Sequence, residues 1–444
     1  MTSDRDDAVN RRAFLVRTGL LLGAGALAGA LPAVSRLASA AMPTLDSWEA
    51  IRGQFALSPD FIHMTGFLLA SHPAPVREAI EMHRRGLDAN PAHYWGDNEE
   101  QFEADVLRAA ADYLEAAPTD IALTDSTTMG LGLLYGGLAL RSGQEVLTTT
   151  HDHYSTQVSL KLRVEQTGAS IRTIPLYRDL NRVSVQEIVD TLIKAVRSET
   201  RCVAVTWVHS STGLKLPIRE MAAALAKVNA SRAEEDRALL CVDGVHGLGV
   251  ENVSMADLGC DFLIAGTHKW MFGPRGTGLV WGHPRAWPAA HATIPTFNFD
   301  AYRIWMQEPP EHKITKAALM TPGGFHSFEH RWALSEAFRF HLAIGKAKIA
   351  ERVHALNRQL KEGLKAIKGV TIKTPMGDAL SAGITCFEVA GLKPDQAVKA
   401  LREKGIVASE TPYAVKYIRL APGLLTLPAD VERTLAAVRA LAAT

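Results

Sequence analysis

The chain alternates short apolar runs with longer segments in which apolar residues recur at helical spacing. Short apolar runs bounded by Gly or polar residues predict strands that are buried on both faces. The spacing of Phe102, Val106, Ala109 and Tyr113 predicts a helix over residues 101–116. Further elements are predicted as strands at residues 121–123, 145–149, 170–176, 201–208, 238–242 and 261–265, and as a helix at 185–196. This alternation of strands and helices predicts an α/β fold with a mostly parallel sheet.

Helical spacing dominates from about residue 325, and Gly345 predicts a bend or a close contact in the helical region 332–367. A small α/β unit is predicted to follow, with strands at 383–389, 406–409 and 417–420 and helices at 393–403 and 429–442. We therefore predict a large domain over residues 61–324 and a small C-terminal domain over 325–444, which follow an N-terminal arm over 41–60.

The first forty residues are predicted to be an export signal rather than part of the fold. Arg11 and Arg12 precede an apolar run of small residues, and residues 38–40 form an A-x-A cleavage site. This is the twin-arginine export pattern. A membrane anchor is the alternative, but the run is rich in Gly and Ala and is interrupted by Pro32 and Arg36, which disfavours a stable membrane span. Export of a folded protein predicts a periplasmic location and an interaction with the twin-arginine machinery.

Composition excludes several classes of function. The formal net charge of +1 gives no basic surplus for binding nucleic acid. No His, Cys, Asp or Glu spacing indicates a metal site, so none is expected. The cysteines lie in or beside apolar runs and are predicted to be buried free thiols; they are Cys202, Cys241, Cys260 and Cys386.

Polar residues follow two of the apolar runs directly. The run at 238–242 is followed by Asp243, and the run at 261–265 is followed by Lys269. In open α/β sheets, ligands bind beyond the carboxyl ends of the strands, so both side chains are expected to face one crevice. A lysine amine that binds the cofactor aldehyde and a carboxylate that keeps the pyridine nitrogen protonated are the pair that pyridoxal 5'-phosphate (PLP) requires.

The motifs around this pair carry a family resemblance. The chain resembles the class V aminotransferase family of fold-type I PLP enzymes in two motifs. These are VDGVH at residues 242–246 and GTHKWMFGPRGTG at residues 266–278. The chain is most similar to the isopenicillin-N epimerase-like branch. The resemblance implies a seven-stranded, mostly parallel sheet in the large domain, a small C-terminal α/β domain, PLP as cofactor and a homodimer.

A phosphate cradle is expected at DSTTMGLGLL, residues 125–134. The first N–H groups of a helix lack partners and favour an anion, and Ser126, Thr127 and Thr128 match the family's phosphate-binding positions. A simple helix cap is the alternative reading of these residues. The resemblance also assigns His268 to the phosphate.

Other positions around the cofactor ring follow from the resemblance. His153 matches an aromatic residue that stacks on the ring and can move a proton, with Tyr154 as the alternative. His246 is expected near the ring. Ser210, in WVHSSTG at residues 207–213, stands where desulfurases carry Asn, a departure that argues against a desulfurase and places His209 and Ser210 near the ring. The resemblance assigns Thr321 to the phosphate of the partner subunit.

Substrate contacts are predicted at both ends of the mature chain. Arg419 matches the family's arginine that binds the substrate carboxylate through two parallel hydrogen bonds. It lies in the motif YIRLAPGLLTLPADVERTLAAV, residues 417–438. Phe67 and Tyr94 match the stretch that lines the substrate entrance. Weaker candidates in that stretch are His63, His93 and Trp95, and ordinary packing or surface exposure is the alternative for each of the five residues.

The expected function is PLP-dependent chemistry at the amino group and α-carbon of an amino acid or peptide-like substrate. Lys269 is expected to act as the base, with transamination, epimerisation and β-elimination all open. A periplasmic aminotransferase or epimerase-like enzyme is expected, and maturation of a secreted peptide natural product or siderophore is one role that suits this location. The alternatives are a PLP-dependent C–S lyase and, in another class, a non-catalytic periplasmic binding protein on the same scaffold.

Overall fold

The computed structural model describes residues 45–443. The predicted export signal at residues 1–40 and the first residues of the predicted arm lie outside this range. Within it, residues 45–60 contain one short helix, α1 (Trp48–Gly53), which is capped by the Ser47 hydroxyl. Arg52 of this helix donates to Asp430 at 2.7 Å, so the segment is attached to the last helix of the chain.

A seven-stranded sheet forms the centre of the N-terminal part. Its strands are β2 (Ile121–Thr124), β3 (Glu145–Thr149), β4 (Ser170–Ile174), β5 (Thr200–Thr206), β6 (Leu239–Asp243), β7 (Phe262–Gly266) and β8 (Gly278–Gly282). They lie in the order β2-β8-β7-β6-β5-β3-β4, and only β8 among them runs antiparallel to its neighbours. The predicted mostly parallel sheet is confirmed.

Helices cover this sheet, and polar caps fix where several of them begin. Ser126, Ser184 and Ser254 each accept a hydrogen bond from a backbone N–H three residues later, which satisfies one of the unpaired donors at a helix start. The helices are α2 (Ala74–Ala89), α3 (Pro91–Leu114), α4 (Thr127–Gly137), α5 (Tyr154–Thr167), α6 (Val185–Ala195), α7 (Ile218–Asn229) and α8 (Met255–Leu258), with 3₁₀ turns at Pro118–Asp120, Glu234–Asp236 and Trp287–Ala289.

The C-terminal part is built on two long helices and a second sheet. Helices α11 (Phe328–Ile344) and α12 (Lys346–Lys365) are separated by Gly345, whose φ of 96° agrees with a bend, the first of the two predicted alternatives. A four-stranded sheet has the order β12-β13-β10-β9. Its strands are β9 (Val370–Ile372), β10 (Thr385–Val389), β12 (Ser409–Glu410) and β13 (Ile418–Leu420), and the remaining elements are α13 (Pro394–Glu403), β11 (Ile406–Val407) and α14 (Pro428–Ala442).

One strand near the N-terminus belongs with this C-terminal part. Strand β1 (Ile62–His63) pairs in parallel with β11. Ile62 and Met64 are buried in the same apolar cluster as Leu360, Phe387 and other residues of the C-terminal elements. The division of the chain at residues 61–324 and 325–444 stays a prediction.

Several elements differ from those predicted. Helix α3 begins ten residues before the predicted start because Pro91, in its first turn, has a backbone angle suited to a helix and needs no donor there. Strand β8, a five-residue run with glycine at both ends, was not assigned from the pattern. Residues 291–324, to which the pattern assigned no element, contain two short helices, α9 (Phe299–Trp305) and α10 (Lys316–Met320).

All four cysteines are buried and free, as expected. The sulfur atoms of Cys202 and Cys241, on the neighbouring strands β5 and β6, lie 3.7 Å apart without a disulfide. Among residues 45–443, no helix combines the length and the apolarity needed to cross a bilayer.

Candidate active site

Asp243 is the last residue of β6 and is buried at the carboxyl end of the sheet, 3 % exposed. Its Oδ1 accepts a hydrogen bond from the Val245 N–H at 3.2 Å. Burial raises the pKa of its carboxyl to about 6, against the opposing effects of the Val245 bond and the Lys269 charge. Ionised Asp243 is therefore costly in this site unless a positive charge faces it.

Lys269 follows the end of β7, the neighbour of β6, by three residues. Burial lowers the pKa of its amine to about 8; the Asp243 carboxylate opposes this shift and the Arg419 charge adds to it. The Lys269 Nζ has no hydrogen-bond partner among residues 45–443. The amine and the carboxylate thus act on each other's charge across one sheet edge, and the amine is available to a ligand.

The start of α4 lies against the end of β7. Thr127 Oγ1 accepts a hydrogen bond from Gly266 N–H at 2.8 Å. A Cβ on Gly266 would lie 3.0 Å from both Thr127 Oγ1 and His268 Cε1, a contact so tight that the helix start or the His268 ring would have to move to accept it. Ser126 caps the helix, and the Thr128 hydroxyl lies 3.0 Å from that of Ser155. The four predicted phosphate residues, including His268, therefore surround one helix N-terminus.

His153 is the N-cap residue of α5, and its Nδ1 accepts a hydrogen bond from Ser155 N–H at 3.3 Å. Burial, followed by the charges of Lys269 and Arg419, lowers the pKa of His153. Tyr154, the alternative, is 71 % exposed. The structure therefore places His153, rather than Tyr154, in the electrostatic field of the Lys269 amine.

His246 and Phe67 lie together beneath this edge of the sheet. The Trp270 Nε1–H donates to His246 Nδ1 at 3.2 Å, so the neutral ring carries its hydrogen on Nε2. Burial and the nearby Lys269 charge lower the pKa of His246, which favours this neutral form. The Phe67 ring is fully buried, with its centroid 6.2 Å from the His246 ring and 4.3 Å from the Arg419 guanidinium carbon.

Arg419, on β13, is 2 % exposed and joins the C-terminal sheet to the site. Its Nε donates to Ser409 Oγ at 3.1 Å, its Nη1 to the Ser210 carbonyl at 3.0 Å and its Nη2 to the Glu410 carbonyl at 3.3 Å. A guanidinium has five N–H groups, so two stay available for a carboxylate. Its role in binding substrate stays a prediction.

Two further residues, Asp152 and Tyr413, lie at this edge without having been predicted there from the sequence. The Tyr413 hydroxyl lies 2.7 Å from Ser210 Oγ, and its ring meets the His153 ring edge-to-face with centroids 6.4 Å apart. Buried Asp152 accepts hydrogen bonds from Thr148 Oγ1 and from two backbone N–H groups, and its charge acts on Asp243. The place of Asp152 just after β3 was a local signal, whereas Tyr413 lies 203 residues from Ser210 and gave none.

Some predicted residues lie elsewhere. Tyr94 is bonded to His83 Nδ1 at 3.1 Å within an aromatic cluster between α2, α3 and α11, and no described contact joins it to the residues around Lys269. The Thr321 hydroxyl accepts from Leu123 N–H at 3.1 Å and donates to the Ala317 carbonyl at 3.4 Å, so its contact with a partner's phosphate stays a prediction.

The weaker candidates are also spread out. His93 is exposed on α3, and His63 lies on β1 beside Phe61. Trp95 packs near Phe325 and Phe328.

These residues fit PLP. Lys269 offers an unpartnered amine for the aldehyde, and Asp243 offers a buried carboxylate on the next strand for the pyridine nitrogen. The start of α4, uncovered by Gly266, offers N–H and hydroxyl groups to the phosphate. His153 would lie over the ring. Each part of the cofactor thus has a matching group at one edge of the sheet.

The aminotransferase class-V family model matches residues 70–412. Isopenicillin N epimerase of Streptomyces clavuligerus is 24 % identical over 413 residues, 89 % of this chain and 98 % of that protein. A cysteine desulfurase of Klebsiella pneumoniae (strain 342) is 24 % identical over 294 residues, 64 % of this chain and 66 % of that protein.

Two solved structures share the fold. A mutant of C-DES with glycine covalently linked to its PLP cofactor has a TM-score of 0.78 and 21 % identity and covers 87 % of this chain and 98 % of its own. The apo cysteine desulfurase of Thermococcus onnurineus NA1 has a TM-score of 0.75 and 19 % identity over 89 % of this chain and 98 % of its own. The chain thus has the fold-type I architecture, and it belongs to the aminotransferase class-V family of PLP-dependent enzymes.

Proposed function

We propose that the protein transforms the amino group and α-carbon of an amino acid or peptide-like substrate, as an aminotransferase or an epimerase-like enzyme. The observation that carries this proposal is the Lys269 amine, which is partly buried, has no hydrogen-bond partner among the described residues and faces the charge of Asp243. The similarity to isopenicillin N epimerase over most of both chains supports the epimerase-like alternative.

The residues of the chain divide the work. When bound, PLP withdraws electrons from the α-carbon of an attached amine. With its pKa lowered to about 8, Lys269 is partly in the free-base form near neutral pH and can accept the α-proton at its Nζ. Asp243 supplies a negative charge that faces the pyridine nitrogen of bound PLP. Arg419 has two N–H groups for a substrate carboxylate, and the His153 ring excludes water from one face of the cofactor.

A PLP-dependent C–S lyase is the second candidate. The similarity to cysteine desulfurases and the fold shared with C-DES favour it. Sulfur transfer through a protein persulfide is disfavoured because all four cysteines are fully buried. Elimination from the substrate would not need a cysteine, so this candidate differs from the first only in the bond that breaks.

We further propose that the enzyme works in the periplasm as a homodimer, after export by the twin-arginine machinery. Arg11, Arg12 and the small-residue run after them support export. An exposed aromatic surface supports a partner subunit, because such surfaces are uncommon on monomers. It consists of Phe297, Phe299, Trp305 and Phe325, which are 46 %, 62 %, 75 % and 79 % exposed. Maturation of a secreted peptide natural product or siderophore would suit a periplasmic location.

The class of function is tested on the purified protein reconstituted with PLP. We expect visible absorption that Lys269→Ala abolishes, and a wild-type protein that stays colourless with PLP would contradict the proposal. Products of a periplasmic extract, with and without an α-keto acid, are then identified by mass spectrometry. Product formation that depends on the keto acid indicates transamination. An amino acid with inverted configuration indicates epimerisation, and released sulfide indicates C–S cleavage. Spectral shifts with amines but no turnover would instead support a non-catalytic binding protein.

A further inference from the structure

Tyr413 is the one tyrosine, among residues 45–443, whose hydroxyl is bonded to a residue of the candidate site. It lies in the loop between β12 and β13, and its Oη is 2.7 Å from Ser210 Oγ. The Ser210 carbonyl accepts from Arg419, which lies on β13 at the end of the same loop. Hydrogen bonds therefore connect Ser210 both to this loop and to Arg419. They fix the position of the Tyr413 hydroxyl, which is not free in solvent.

The order of the strands separates Tyr413 from Lys269. Asp243 ends β6, and Lys269 follows β7 on one side of that strand. The residues that contact Tyr413 belong to the other side, because Ser210 follows β5 and His153 follows β3. Along the sheet edge, Lys269 thus reaches the space beyond Asp243 from the β7 side, and Tyr413 reaches it from the side of β5 and β3.

We propose that Tyr413 is a second proton-transfer residue of this site, opposite Lys269. The inference rests on the proposed function. A phenol can both donate and accept a proton, and Ser210 gives its oxygen a hydrogen-bond partner in either state. A single base can return a proton only to the face of the α-carbon from which it took one. Two groups on opposite faces of the α-carbon can exchange protons at both faces. This arrangement favours epimerisation over transamination.

The step conserves atoms and electrons. Lys269 Nζ takes the α-proton as the C–H bond breaks, and the electron pair stays at the α-carbon. The O–H bond of Tyr413 then breaks and its proton forms a C–H bond on the opposite side. Tyr413 regains a proton from water through the Ser210 hydroxyl, and Lys269 releases its own to water, so that the net change is one exchanged proton.

Glycine is the test substrate, since it has two α-hydrogens on opposite sides and is the amine linked to PLP in the C-DES structure. The PLP-loaded enzyme is incubated with glycine in D₂O, and exchange is followed by proton NMR. We expect the wild type to exchange both hydrogens. Tyr413→Phe should exchange one and slow the other by about 10²-fold or more. The matched control is Tyr417→Phe, in the same loop, whose ring faces Lys373 at 5.6 Å; it should behave as the wild type.

The outcomes separate the two proposals. If the wild type exchanges a single hydrogen, the assignment of Tyr413 is wrong while the proposed function stands. If Tyr413→Phe still exchanges both at wild-type rates, the assignment is again wrong. If the wild type binds PLP but exchanges neither hydrogen, the proposed function fails, and the assignment fails with it.

A second readout needs no cofactor. Burial raises the pKa of Tyr413, and the Ser210 bond opposes that rise. In the apo protein, the ultraviolet titration of tyrosinate should lose one late-titrating group in Tyr413→Phe, and Ser210→Ala should move that group to higher pH. An unchanged titration in Ser210→Ala would show that the hydroxyl pair does not exist in solution and would overturn the assignment.

Discussion

Lys269 and Lys361 show how differently one protein can hold a buried amine. Burial lowers the pKa of both, to about 8 in each case. Lys361, on α12, is 1 % exposed and donates to the Pro375 carbonyl at 3.1 Å, the Met376 carbonyl at 2.8 Å and Ser381 Oγ at 2.6 Å. All three hydrogens of its ammonium group are used, whereas the Lys269 amine has no hydrogen-bond partner among residues 45–443.

The comparison shows that a lowered lysine pKa does not identify a reactive amine by itself. Lys361 connects α12 to the loop before β10, and its hydrogen bonds leave no N–H for a ligand. Lys269 differs in having free N–H groups, a carboxylate on the next strand and a helix N-terminus nearby. These contacts give Lys361 a structural role, whereas they leave the Lys269 amine open to the ligand that we propose.

The largest expected effect is on catalysis by Lys269→Ala. Loss of the base alone should lower kcat/KM for the identified substrate by about 10²–10⁴-fold. The thermal unfolding midpoint of the apo variant should not fall, because the amine makes no hydrogen bond that the substitution would break. Activity is measured by initial rates and stability by calorimetry. A large loss of stability with activity retained would reverse the roles of the two lysines.

The Asp243 carboxyl should make stability depend on pH in a particular direction. Its folded-state pKa, raised from 3.8 to about 6, means that the folded apo protein binds more protons than the unfolded chain between these values. This contribution to stability is fully present below about pH 4 and is lost as the pH rises through 6. The loss amounts to about 3 kcal/mol.

The unfolding free energies of wild-type apo protein and Asp243→Asn are compared by urea denaturation at several pH values. Their difference should change by nearly that amount between about pH 3 and pH 7, since the amide does not titrate. A difference that stays constant over this range would mean that the carboxyl is hydrated rather than buried.

Lys361→Met should destabilise the protein without removing its chemistry. The substitution leaves the carbonyls of Pro375 and Met376 without their donor, which should lower the unfolding free energy by about 1–3 kcal/mol. The matched control is Lys365→Met, at an exposed position on the same helix, which should change stability little. Visible absorption with PLP should persist in both variants, and its loss in Lys361→Met would contradict the structural role.

The smallest expected effect is on cofactor affinity in Gly266→Ala. The added Cβ would lie 3.0 Å from Thr127 Oγ1 and His268 Cε1 and would push the start of α4 away from β7. We expect PLP to bind about tenfold more weakly, a loss of about 1.4 kcal/mol. Gly377→Ala is the control, because no atom lies within 4 Å of its added Cβ. Equal affinity in both variants would place the phosphate elsewhere.

The sequence was most informative where local patterns decide the structure. The five-residue strand Glu145–Thr149 was predicted with its observed ends, and Gly345 was predicted to mark a bend or a close contact in the helical region. Asp243 and Lys269 could be found because polar residues at the carboxyl ends of adjacent parallel strands reach the same edge of a sheet. Proximity in that case follows from topology, which the alternation of strands and helices already indicates.

Contacts between distant segments could not be predicted in this way. The Tyr413–Ser210 hydrogen bond and the position of Phe67 over Arg419 depend on how the C-terminal sheet meets the large one. Tyr94 shows the same limit, because an aromatic residue near the N-terminus suited packing between helices as well as a substrate site. The choice of His153 over Tyr154 depended on which of the two residues caps α5.

The most direct test of the account is to locate the cofactor on the chain. The PLP-loaded protein is reduced with borohydride, which makes the link between cofactor and lysine permanent, and its peptides are mapped by mass spectrometry. We predict one phosphopyridoxyl group on the peptide that contains Lys269 and none on the peptide that contains Lys361. Modification of Lys361, or of no lysine at all, would contradict the assignment of Lys269 as the residue that holds PLP.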